Sequence, residues 1–372
     1  MRFTVTGGKP LRGEIALAGS KNAATPIIAA TVLTGRPCVL ANVPRIGDVL
    51  TMLELLTRMG SRVRWLGEHE VEIINDRLDP AKLDQVLVSK IRSSILLVGP
   101  LLVRFGAVEF VTPGGCHIGS RPIDTHLAAL AAVGARITYD SASGMHRIEL
   151  AQRTPRDLTL REFSVTATEI MLTVGAAMPL TLRLAATEPH VADLCAFLAK
   201  LGLTIEGAGT HWVRVRPPAV GGSGPVRHTI IADMIEAGTF AIAGAITRGV
   251  VTITGAVAGH LEAVLGKLRE MGVPCELAGD RLTVRGAPAN LLAAKIETRP
   301  FPGLMTDLQA PFGVLATQAH GTSLIFDTLY EGRLRYLDEL KKMGADATIL
   351  DPHRALVKGP TRLHAGEVNS LD

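Results

Sequence analysis

Five stretches of the chain repeat one pattern of apolar and polar positions: "LELLTRMGSRV", "LAALAAVGARI", "CAFLAKLGLTI", "LGKLREMGVPC" and "LDELKKMGADA". Each places its apolar residues on one helical face and ends in glycine, the residue that accepts a left-handed C-terminal cap. A strand-like run follows every time. The terminal glycines are Gly60, Gly134, Gly202, Gly272 and Gly344, separated by 74, 68, 70 and 72 residues. Spacing this even predicts an internal structural repeat.

A second kind of helix precedes each of these. "SKNAATPIIAATVLTG", "SKIRSSILLVGPLLVRFG", "TATEIMLTVGAAM", "IEAGTFAIAGAITRG" and "TDLQAPFGVLATQAHG" are rich in Ala, Gly and Ser and apolar on nearly all sides. They read as buried helices that pack closely. Between the two helices of each unit lie strands such as "PCVLANVP", "AVEFVTPG", "LTLRLAAT", "VVTITGAV" and "TSLIFDTL". One unit is therefore strand, helix, strand, helix and two strands in roughly 70 residues. The opening "MRFTVTGGKP" also alternates like a strand.

Five units are complete. A sixth begins at "RLHAGEVNSLD" and stops where its buried helix is due, so the sixth unit is expected to be incomplete. "RVRPPAVGGSGPVRH", residues 213 to 227, breaks both periods between the third and fourth units and is the expected linker between two similar domains. A length of 372 residues fits two cores better than one. A cleft between two such domains is a common place for a small-molecule site.

Composition narrows the function. The chain is 47% hydrophobic and 20% charged, with a formal net charge of +4 and only 4% aromatic residues. No long Lys/Arg run appears and aromatics are sparse, which excludes a nucleic-acid groove and suits small anionic ligands. The most apolar run, "SILLVGPLLV", is far short of a membrane span, and the start lacks the apolar segment of a signal peptide. Cys38, Cys116, Cys195 and Cys275 are scattered without metal-binding spacing, which argues against a zinc site or a disulfide framework and favours a cytoplasmic location.

Several residues stand where chemistry can occur. Cys116, in "TPGGCHIGSRPID", follows two glycines on a polar turn. A free surface thiol and a reactive thiol fit that context equally; a cation such as Arg121 would lower its pKa and favour the second. Lys21 and Asn22 open one apolar helix and Arg92 opens the equivalent helix of the next unit. A helix cap with a solvated cation is the plain reading, yet helix heads also bind phosphate and carboxylate. Asp307, in "GLMTDLQAPF", opens a third such helix, where Thr306–Asp307 also fits a simple N-terminal cap.

In order along the whole chain, "GSKNAATPIIAATVLTG", "IRSSILLVGPLLVRFG", "PGGCHIGSRPIDTHL", "SVTATE", "EPHVADLCAFLAKLG", "IEAGTF", "TDLQAPF" and "MGAD" resemble the enolpyruvyl transferases. The resemblance implies an α/β fold of two inside-out α/β barrel domains, each of three βαβαββ units, with residues 20 to 229 in one and residues 1 to 19 with 230 to 372 in the other. It implies transfer of the enolpyruvyl group of phosphoenolpyruvate to the 3-hydroxyl of UDP-N-acetylglucosamine. That reaction belongs to peptidoglycan precursor synthesis and passes through a tetrahedral intermediate. No metal, organic cofactor or obligate protein partner is implied.

Residue by residue, the resemblance makes Cys116 a participant in addition or product release and the atom alkylated by fosfomycin. Asp307 becomes the base or acceptor for the attacking hydroxyl, and Lys21 a ligand of phosphoenolpyruvate. Around the substrates it places Asn22, Arg92, Arg121, Pro122, Ile123, Asp124, His126, Ser164, Val165, Thr166, Glu188, Asp233, Leu329, Arg333 and Asp372.

The chain departs from the family in Met234, in His190 and in Glu162–Phe163, where some members carry a lysine; a carboxylate there would repel a diphosphate if it faced the cleft. Further family arginines would lie beyond Asp372. These departures keep two alternatives open: another nucleotide acceptor such as UMP, or a non-catalytic ligand-binding paralogue if the chain ends at Asp372. The shikimate-phosphate branch lacks the loop cysteine and fits less well.

Overall fold

All five predicted buried helices form, and they supply the centres of two separate hydrophobic cores. A computed structural model describes residues 2–114, 119, 121–219 and 222–370. The chain divides into two units, crossing between them at Leu17/Ala18 and at Ile231/Ala232. The stretch 213 to 227 lies on one side of these crossings, and strands Trp212–Arg216 and Val226–Thr229 occupy its ends.

In the unit from Ala18 to Ile231 the helices are α1 (Lys21–Ala30), α2 (Gly47–Arg58), the short α3 (Gln85–Val88), α4 (Val98–Phe105, continuing a 3-10 turn at Arg92–Leu97), α5 (Asp124–Ala132), α6 (Val165–Val174) and α7 (Pro189–Lys200). The apolar α1 packs against α2, α7 and the 3-10 turn, while α6 packs against α4, α5 and α7. Eight of the ten residues of α1 are buried. In the second unit, α8 (Met234–Ile246) packs on α9 (Ala258–Glu270) and α10 (Gln309–Ala316), and α10 also touches α11 (Tyr336–Lys342).

Small residues explain how helices without a polar face pack so closely. A Cβ on Gly99 would stand 2.2 Å from Thr173 Oγ1, and one on Gly238 would stand 2.4 Å from Leu308 Cδ1. Each of the five glycines that close the amphipathic helices has positive φ, from +86° to +107°. The sequence period therefore marks the same backbone event five times.

The sheets repeat as well. After each apolar helix comes a strand that pairs antiparallel with the last strand of its unit, which pairs with the one between: Cys38–Ala41 with Val71–Ile74 and Arg62–Trp65, for example. Four of the five sheets gain a parallel strand on the first, such as Val226–Thr229 on Cys38–Ala41 and Arg12–Ala16 on Val250–Thr254. Helices lie inside and sheets outside within each unit, as the apolar pattern requires.

Two local expectations fail. Residues 2 to 11 are not a strand; they are exposed, with Phe3 77% and Val5 85% accessible. Alternation alone cannot make a strand without a neighbouring ladder, and pairing starts only at Arg12. Residues 361 to 370 also lack regular structure; they bond to the end of α11, with His364 N–H donating to Met343 O at 2.9 Å and Asn369 N–H to Glu339 Oε2 at 2.9 Å. Among the described residues no helix is long and apolar enough to cross a membrane.

The packing predicts opposite outcomes for one substitution. Gly99→Ala should cost about 1–3 kcal/mol through overpacking. Gly266→Ala, in α9 with nothing within 4 Å, should gain about 0.5–1 kcal/mol from lost unfolded-state freedom. Urea unfolding of both variants checks the signs.

Candidate functional site

A helix buried along its length meets water most readily at its ends, and Lys21, Arg92, Asp233 and Asp307 sit at such ends. Lys21 is the first residue of α1. Its Nζ lies 3.3 Å from Asp48 Oδ2, with both side chains nearly half exposed. An exposed pair of this kind contributes little, so Lys21 can exchange Asp48 for an anion. The chain before it is held firmly: Ser20 N–H donates to Ile231 O at 2.8 Å, and Asn42 Nδ2 to Ile230 O at 3.0 Å. Ile231 N–H in turn donates to Asp193 Oδ2, whose Oδ1 meets His228 Nε2 at 3.0 Å inside the core. Asn22, beside Lys21, is partly exposed.

Four more sequence-predicted segments converge in the same unit. Arg92 heads the 3-10 turn that leads into α4, and its Nη2 donates to Pro122 O at 3.2 Å. Pro122 and the buried Ile123 lead into α5, which Asp124 opens. From α5, His126 Nε2 meets Thr166 Oγ1 at 2.7 Å, and Thr125 Oγ1 donates to Glu162 Oε1 at 2.8 Å. Burial, and then Arg92, push the His126 pKa down to about 4, so the ring is neutral at pH 7. Ser164 caps α6, its hydroxyl accepting from Ala167 N–H at 3.3 Å, with Val165 and Thr166 in the first turn. Glu162 is thus anchored to the head of α5. Arg121 is half-buried directly before Pro122. Phe163 is 48% exposed and tilts against His211 with ring centroids 4.9 Å apart.

Glu188 is the residue before α7, whose first position is Pro189. Close by in the core lies a group that sequence reasoning missed, Glu169 of α6, only 2% accessible. Burial, then the charge of Glu188, raises its pKa well above the usual carboxyl value. A signal existed: it is the one acid in "TATEIMLTV".

The second unit carries carboxylates at the matching heads. Asp233 caps α8, its Oδ1 accepting from Ile235 N–H at 2.8 Å and Glu236 N–H at 3.2 Å, so the capping reading describes it well. Asp307 differs. The residue before its 3-10 turn (Thr306–Leu308) is Met305, and no side chain caps that turn. Asp307 Oδ1 instead accepts from Arg333 Nη2 at 2.8 Å. Arg333 Nη1 donates to Thr306 Oγ1 at 3.0 Å, and Thr306 donates to Asp327 Oδ2 at 2.5 Å. Leu329, 39% exposed, and Tyr330 both donate backbone N–H groups to Asp327 Oδ1 at 3.0 Å. Thr306 is read from sequence only as part of a cap, and Asp327 not at all, although Asp327 is a lone charge following the apolar strand Gly321–Phe326.

Cys116 and Asp372 lie outside the described residues. Among the described residues no group of three or more His, Cys, Asp or Glu is arranged to hold a metal. One unit therefore presents lysine and arginine at helix heads, suited to phosphate and carboxylate oxygens. The other presents an arginine-held aspartate, suited to accept a hydrogen bond from a hydroxyl.

Known proteins share this chain's sequence and fold. The family described as EPSP synthase (3-phosphoshikimate 1-carboxyvinyltransferase) matches residues 5–372. The chain is 41% identical to UDP-N-acetylglucosamine 1-carboxyvinyltransferase 1 of Symbiobacterium thermophilum, covering 99% of this chain and 83% of that protein. It is 39% identical to the UDP-N-acetylglucosamine 1-carboxyvinyltransferase of Bradyrhizobium diazoefficiens, covering 100% of this chain and 87% of that one. Among solved structures, the enolpyruvyl transferase NikO from Streptomyces tendae has the same fold, with a TM-score of 0.85 at 23% identity over 96% of this chain and 84% of that one. EPSP synthase from Acinetobacter baumannii follows at 0.70 and 18%, over 97% and 86% of the two chains.

Glu169 generates a prediction. A carboxyl whose folded pKa is raised keeps its proton while the unfolded chain releases one above about pH 4.5, so the folded state loses stability as pH climbs past that value. Glu169→Gln should raise the melting temperature, with a gain that grows as pH climbs above 4.5. A gain independent of pH would show that the group ionises in place.

Proposed function

We propose that this chain, a member of the EPSP synthase family of enolpyruvyl transferases, moves the enolpyruvyl group of phosphoenolpyruvate onto the 3-hydroxyl of UDP-N-acetylglucosamine and releases phosphate. The observation that carries the reading is the 41% identity, over 99% of the chain, to a relative bearing that activity in its name. The site chemistry agrees with it.

Lys21, Arg92 and Arg121 supply cations at helix heads and on the approach to α5 for the phosphate and carboxylate of phosphoenolpyruvate and for the diphosphate. Asn22, Pro122, Ile123, Asp124, His126, Ser164, Val165, Thr166 and Glu188 line the nucleotide side in this reading, with neutral His126 holding Thr166 in place. Asp233, Leu329, Arg333 and Asp372 are the remaining substrate-binding residues in this reading. Asp307 Oδ1 is taken by Arg333, and the exposed carboxylate keeps Oδ2 for the sugar hydroxyl.

Addition joins the sugar oxygen to C2 of phosphoenolpyruvate while C3 gains a proton. Elimination then removes a proton from C3 and expels phosphate. Asp307 orients the hydroxyl and receives its proton, and the cations hold the charge of the leaving phosphate. Cys116 acts in addition or product release and is the thiol that fosfomycin alkylates. The product feeds peptidoglycan synthesis in the cytoplasm, and through it cell shape and division.

Phosphate release from phosphoenolpyruvate should require UDP-N-acetylglucosamine. Release with UMP and none with the amino sugar would overturn the acceptor in favour of a nucleotide-modifying enzyme. Fosfomycin should add one adduct by mass to the wild type and none to Cys116→Ala; an adduct on that variant would name another thiol as the target.

A further inference from the structure

Asp307 stands at the head of a short turn with its side chain 41% exposed, and an exposed ion pair does not by itself fix a geometry. Yet the arginine that holds it is 8% exposed, and its setting is unusually determined. Arg333 rests over the Tyr330 ring at 5.4 Å and gives Nη1 to Thr306 Oγ1 at 3.0 Å. Thr306 gives its own proton to Asp327, which is fully buried.

We propose that Asp327 is a positioning residue for the transfer reaction, acting through Thr306 and Arg333 to hold Asp307 against the sugar hydroxyl. The proposal rests on the reading of Asp307 as the acceptor of that hydroxyl. The physical basis is the polarity of the chain of bonds. The Thr306 hydroxyl spends its one donor on Asp327 Oδ2. The lone pairs of Oγ1 then face Arg333, which can only donate. With Nη1 seated there, Nη2 is left aimed at Asp307 Oδ1. The other oxygen of Asp327 takes the N–H groups of Leu329 and Tyr330, so the same carboxylate also sets the turn from which Arg333 departs.

A merely structural Asp327, stapling the turn after its strand, would make a different set of predictions. The test is steady-state phosphate release by the full chain, with melting temperature measured on each variant. Asp327→Asn keeps an acceptor for the two backbone N–H groups but turns an amide donor toward Thr306. It should lower kcat about 10- to 100-fold while the KM for phosphoenolpyruvate stays within about twofold. Thr306→Val, which breaks the relay and leaves Asp327 in place, should do the same. Thr306→Ser, which keeps the hydroxyl, should retain most of kcat. The double variant should be no slower than the slower single, because one relay fails once.

Wild-type kcat in Asp327→Asn overturns the proposal, as does a loss of kcat that tracks melting temperature and the KM for phosphoenolpyruvate together. If Asp327→Asn fails to fold, Thr306→Val decides by the same criteria. Asp307→Asn is the reference: a wild-type rate there removes the reading of Asp307 and the relay with it. A slow Asp307→Asn beside a fast Asp327→Asn removes the relay alone.

Discussion

Several candidate site residues stand at the heads of helices that have almost no polar side. With eight of its ten residues buried, α1 can meet water only at its ends, and α6 and α8 are nearly as apolar. Such helices must be wrapped by other helices and by sheets, and close approach demands Gly99 and Gly238 where side chains would collide. The wrapping leaves the first turn as the place where charge is cheap, because unsatisfied N–H groups already gather there. Lys21, Arg92, Asp233 and Asp307 occupy these heads.

The same backbone repeat serves two chemistries. In the unit from Ala18 to Ile231, Lys21 and Arg92 head two of the apolar segments, Arg92 donates to Pro122, and His126 meets Thr166. In the other unit the heads carry carboxylates, one spent as the cap of α8 and the other held by Arg333. In the proposed reaction the cations of the first set would bind substrate anions and Asp307 of the second would accept the hydroxyl.

Buried ionisable groups show where the fold accepts a cost. Asp193 is offset by His228 and a backbone N–H, and Asp327 by a hydroxyl and two backbone N–H groups. For Glu169, burial and then the charge of Glu188 raise the pKa and favour the neutral acid. The first two secure segments that end in site residues, since Asp193 holds Ile231, which holds Ser20 next to Lys21. Unpartnered charge in a low-dielectric core is expensive enough that such groups are seldom idle.

Sequence alone determined the repeat, the five capping glycines, the two helix classes and the strand that follows each apolar helix, because these depend on local periodicity and on backbone positions that only glycine fills readily. It also placed the helix-head candidates, since an isolated charge before an apolar run is visible without coordinates. Tertiary structure decided the rest. It left residues 2 to 11 unpaired, because a strand exists only with a neighbour. It set aside the cap reading of Thr306–Asp307, paired Asp307 with Arg333, and revealed Asp327 behind that pair. Hydrogen bonds between residues 306, 327 and 333 join a helix head to a strand end and the following turn, and no spacing along the chain encodes which of them meet.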